Sequence, residues 1–65
     1  MMNIEGKIIE METRRSMAIE YLNEYIRYNK ENNTNEMDDF IERCEEIIAK
    51  CDLILSELKA YTIEC

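Results

Sequence analysis

Residues 37–65 read MDDFIERCEEIIAKCDLILSELKAYTIEC. Within this stretch Met37, Phe40, Cys44, Ile47, Cys51, Ile54, Leu58, Tyr61 and Cys65 recur at alternating spacings of three and four. That spacing is a heptad with Met37 at a and Phe40 at d, the pattern of a helix with one apolar seam. Ile41, Ile48 and Leu55 fall at e and widen the stripe to three residues per heptad. A strict a/d seam suits a two-stranded coiled coil, whereas an a/d/e stripe suits a helix packed in a bundle.

The first half carries a matching rhythm. Ile4, Ile8, Met11, Arg15, Ala18, Leu22, Tyr25 and Asn29 follow one another at spacings of four and three, with Arg15 at a and with Ile19 and Ile26 at e. Proline is absent and the single glycine is Gly6, so nothing interrupts a helix over about 3–28. Residues 29–35, NKENNTN, then lose all apolar character. Asparagine clusters favour turns because their side chains bond the nearby backbone and tolerate left-handed angles. Thr34 or Asn35 is expected to cap a second helix over about 35–62, with Glu36, Asp38 and Asp39 favoured in its first turn by the helix dipole.

A short connection makes the helices antiparallel neighbours. Folding about the turn pairs residue i with roughly 65 − i, a consequence of equal rise along both helices. Ile8 then meets Leu58, Met11 meets Ile54, Arg15 faces Cys51, Ala18 faces Ile47, Leu22 faces Cys44, Tyr25 meets Phe40 and Asn29 meets Met37. The expectation is an all-α protein, one helical-hairpin domain over 1–65. A single long helix is the main alternative, but it would place the asparagine cluster in its middle.

Two helices cannot cover a three-residue stripe on each other, so a second hairpin is expected to complete a homodimeric four-helix bundle. Size argues the same way. A chain of 65 residues buries only about 60% of its unfolded surface, and small cores supply ~3–5 kcal/mol unless disulfides, a metal or association add to them. Histidine is absent and the three cysteines have no C-x-x-C spacing, so no zinc site and no cofactor is expected. Cys44 and Cys51 lie about 10 Å apart along one helix, beyond disulfide reach. Self-association is the remaining route, and Ile8, Met11, Arg15, Ala18, Leu22, Tyr25, Phe40, Cys44, Ile47, Cys51, Ile54 and Leu58 form the expected seam.

Individual residues admit plain and sharper readings. The stem of Arg15 packs in the seam while its guanidinium reaches Glu12 or an acid of another chain; alternatively, a polar a residue fixes register or oligomeric state. Seam cysteines act as small hydrophobes that could approach their symmetry mates, and Cys65 is the thiol most open to reaction. Tyr21 and Tyr28, both at g, either rim the dimer interface or offer an aromatic surface to a partner. Asp38, Asp39, Glu42, Glu45 and Glu46, offset in part by Arg43 and Lys50 at i, i+4 from Asp39 and Glu46, form either a solvated face or an acidic docking surface. Leu53, Ala60, Ile63, Ile9 and Met17 lie off the stripes and could make a second apolar patch.

Charge narrows the function. Fifteen acids oppose eight bases, a net charge of −7. Generic nucleic-acid binding is therefore not expected, and the charge serves either solubility or a basic protein partner. No glycine-rich loop, nucleophile motif or Cys-His pair points to catalysis. No segment reads as a signal peptide or membrane span, so a cytoplasmic location is expected. The sequence thus reads as a non-enzymatic interaction or regulatory module. The alternatives are an acidic inhibitor occupying the nucleic-acid-binding site of a basic protein and, less in keeping with the charge, an RNA-binding hairpin like the plasmid regulator Rop.

Overall fold

The computed structural model describes residues 4–63 and shows two helices packed against each other, α1 (Ile4–Glu31) and α2 (Asp38–Ile63). They form an antiparallel hairpin of 51 × 17 × 14 Å. The expected start of the first helix at 3 lies outside the described residues. Its end falls three residues later than the sequence suggested, because the asparagine cluster terminates the helix from within its last turn.

That ending is a Schellman-type cap. Asn33 adopts φ 50°, the left-handed value that asparagine tolerates better than most residues. The reversal lets the Thr34 amide donate to the Asn29 carbonyl at 3.0 Å, while the Asn32 amide donates to the Tyr28 carbonyl at 3.0 Å. Carbonyls that would otherwise end the helix unpaired are satisfied.

The start of α2 is held from the other helix. Asn29 Oδ1 accepts the Met37 amide at 3.0 Å, and Asn29 Nδ2 donates to Asp38 Oδ1 at 3.0 Å. Thr34 contributes through its hydroxyl oxygen, which accepts the Glu36 amide at 3.2 Å inside the turn. The cap expected from Thr34 or Asn35 is thus supplied largely by Asn29, which the heptad reading had placed only as a seam residue.

Packing corrects the register of α2. Among the described residues the buried apolar ones are Met11, Ala18, Cys44, Cys51, Leu55 and Leu58. Met11, Leu55 and Leu58 form the core cluster, with Ile4 and Ile8 packed against it. On α1 the inner seam is the expected a/d column. On α2 it is a/e: Ile41, Cys44, Ile48, Cys51, Leu55 and Leu58 turn inward. The d residues expected in the seam, Phe40, Ile47, Ile54 and Tyr61, stay 51%, 41%, 38% and 64% exposed.

Two polar contacts account for this rotation. Asn29 grips Met37 and Asp38 at the turn, and Arg15 Nε donates to Asp52 Oδ1 at 2.5 Å farther along. Asp52 is a b residue. On a helical wheel b adjoins e and lies opposite d, so drawing it toward α1 swings the d column away. The pairing of levels holds despite the rotation: Tyr25 stacks on Phe40 with centroids 5.4 Å apart.

Candidate interaction surface

The two sides of the hairpin differ in chemistry. On one side a cleft is lined by Glu12, Arg15, Ser16, Asp52, Ser56 and Lys59 above buried Leu55. Arg15 and Asp52 pair across it, with Lys59 Nζ 3.8 Å from Glu12 Oε2. Arg15 therefore finds its acid within its own hairpin, on α2, rather than at Glu12 or on another chain. Both side chains remain substantially exposed, 40% and 54%. The pair is screened by solvent, and its contribution is orientation more than stability.

The opposite side is apolar. Met17, Ala18, Tyr21, Cys44 and Ile47 line a groove between the helices, with Arg14 at its edge. Arg14 is held there by Glu10 at 3.0 Å, and Lys7 reaches the same carboxylate at 3.2 Å. Toward the turn the groove continues into an aromatic run, since Tyr21 stacks on Tyr25 at 6.3 Å and Tyr25 on Phe40. Ile47, Ile54 and Tyr61 extend the apolar strip along α2 at seven-residue intervals.

Of the expected seam, Ile8, Met11, Arg15, Ala18, Leu22, Tyr25, Cys44, Cys51 and Leu58 lie between the two helices of one hairpin, whereas Phe40, Ile47 and Ile54 lie on the groove side. Cys44 and Cys51 are buried free thiols facing α1. Cys65, and the Ile63 side chain, lie outside the described residues. Tyr21 belongs to the groove, and Tyr28 stands exposed beside the turn. Met17 also joins the groove, whereas Leu53 is exposed on the outer surface of α2.

The acidic residues do not join the tyrosines in one surface. Asp39, Glu42 and Glu46 line a shallow hollow on the outside of α2, bounded toward the groove side by Arg43, a g residue that adjoins the d column. Asp38 is engaged by Asn29, and Glu45 is exposed. Among the described residues no group of three or more His, Cys, Asp or Glu side chains is placed to hold a metal ion. No helix there is long and apolar enough to cross a membrane.

Sequence reasoning passed over Asp52 as a contact maker, and it set Asn29 beside Met37 without seeing that its side chain caps α2. A usable signal existed for Asp52: level pairing put Cys51 opposite Arg15, and an acid next to that position is a natural partner. Compared with protein-family models, curated proteins and solved structures, the chain finds no significant match.

Proposed function

We propose that this chain is a small non-enzymatic interaction module that works as a homodimer, two hairpins meeting through their groove sides as a four-helix bundle. The observation that carries the reading is the apolar column of Phe40, Ile47, Ile54 and Tyr61 beside Met17 and Tyr21, left 38–64% exposed after the inner seam has closed.

Surface area supports it. The hairpin exposes 5410 Å², against about 4,400 Å² for a compact monomer of its mass, an excess of about 1,000 Å². A standard protein interface removes about 800 Å² from each partner. Apolar contact across the groove side would return the chain to an ordinary exposed area.

Association through that side leaves the outer acids of α2 in solvent. Asp39, Glu42, Glu45 and Glu46 are then available to a basic protein, including one whose nucleic-acid site they would occupy. Sedimentation equilibrium between about 1 and 100 μM, a range that brackets interfaces of roughly micromolar affinity, tests the dimer. The expected result is twice the 7.8 kDa chain mass under reducing conditions, reverting to one chain mass for Ile47→Asp. A single chain mass throughout for the unsubstituted protein refutes the reading.

A further inference from the structure

We infer that the second copy docks with its turn at the opposite end, so that α2 lies antiparallel on α2 and α1 on α1. This rests on the dimer proposed above and specifies its arrangement. Two twofold packings could join the groove sides: turns at the same end, with each α1 over the other copy's α2, or turns at opposite ends.

Consider turns at opposite ends first. The d column has four evenly spaced members, and its midpoint falls between Ile47 and Ile54. Centring the twofold axis there sets Ile47 on the second copy's Ile54 and Phe40 on its Tyr61. No member of the column is left over. Charges three residues beyond column members then come into register: Arg43 faces the second copy's Glu57, twice by symmetry. Among the described residues Arg43, Lys50 and Glu57 take part in no ion pair within the hairpin.

The same axis fixes α1 without further choice. Facing residues within the hairpin have numbers adding to about 66, as Tyr25–Phe40, Arg15–Asp52 and Asn29–Met37 show. The level between 50 and 51 on α2 is therefore the level between 15 and 16 on α1. Reflection through it brings Lys7 to the second copy's Glu24, again twice. Among the described residues the one like-charge encounter is Lys50 with its own mate near the axis.

Turns at the same end do worse. Equal levels would face each other across the interface, bringing Arg43 to Glu24 but Glu57 to Glu10, so each attraction is matched by a repulsion. Unpaired like charge at a partly desolvated rim selects against that packing.

Charge-reversal rescue separates the arrangements. Residues 43 and 57 lie about 21 Å apart along one straight helix, so they cannot pair within a chain. Arg43→Glu and Glu57→Arg singly are expected to weaken the dimer by roughly three- to thirty-fold at low salt, the range for two exposed pairs. Combined in one chain, they should restore dissociation to within about two-fold of the original, with helicity unchanged by circular dichroism. Lys50 gives a second reading: Lys50→Gln should tighten the dimer and Lys50→Glu should not exceed it. A dimer that shows no rescue, or that Lys50→Glu tightens more than Lys50→Gln, overturns the arrangement and leaves the dimer standing. If the unsubstituted chain sediments as a monomer, the dimer falls and the arrangement with it.

Discussion

Truncating Ile47 and Leu55 to alanine in parallel distinguishes inner seam from outer column. Leu55 is 7% exposed and sits in the core cluster with Met11 and Leu58. Its loss is expected to cost about 2–5 kcal/mol at any protein concentration. Ile47 is 41% exposed in the hairpin, so roughly two-fifths of its burial waits for a partner. Full burial of such a side chain contributes about 1.5–3 kcal/mol, which leaves about 0.6–1.2 kcal/mol per copy for the interface. Both copies lose it, so dissociation should become about 7- to 50-fold easier. Thermal melts at several concentrations, read beside sedimentation equilibrium, separate these effects. The Leu55→Ala deficit should persist when the protein is dilute, while much of the Ile47→Ala deficit should vanish. If Ile47→Ala costs as much as Leu55→Ala at the lowest concentration, α2 is rotated differently and the seam is a/d. An Ile47→Ala dimer as tight as the original removes the d column from the interface.

Asn33→Ala should lower stability by about 1–2 kcal/mol, the cost of a left-handed angle for a residue with a β-carbon and no side-chain relief, whereas Asn33→Gly should be tolerated; denaturant midpoints compare them. Arg15→Ala should cost no more than about 1 kcal/mol, with a deficit that shrinks in salt, since its pair with Asp52 is exposed; chemical denaturation at low and high salt is the check. Gel-shift assays at ~0.15 M salt should show no binding to generic RNA or DNA, because residues 32–65 carry nine acids against three bases. Affinity for a basic protein partner should be lost when Asp38, Asp39, Glu42, Glu45 and Glu46 are neutralised together, and a pull-down that survives those changes would move the contact to the tyrosines.

Much of the architecture was legible because two signals agreed. Matched three-four rhythms on either side of an asparagine cluster permit few folds besides a hairpin, and level pairing placed Tyr25 on Phe40 and Asn29 beside Met37. Rotation of α2 was not legible. Ile47 and Ile48, or Ile54 and Leu55, are adjacent and equally apolar, so periodicity could not choose which would face inward. Polar side chains made the choice, through Asn29 at the turn and Arg15 with Asp52 at mid-length. Hydrophobic pattern fixed the width of the stripe, and hydrogen bonding decided which third of it was left over. The groove followed from that decision, so the seam read as one feature proved to be two surfaces.

The slender form of the hairpin governs how its assembly has to be measured. Its radius of gyration is 15.1 Å, whereas a compact chain of this length would have about 10.7 Å. A value of 15.1 Å belongs, on the same scaling, to a compact chain of about 160 residues. A lone hairpin is therefore more extended than a globular protein of its mass, and it tumbles and elutes as a larger particle. Laying a second rod flat along the first thickens the particle and barely lengthens it, so its apparent size changes little as its mass doubles. Chromatographic retention calibrated on globular standards would overstate the mass of a lone hairpin, and techniques that weigh the particle are the ones that discriminate.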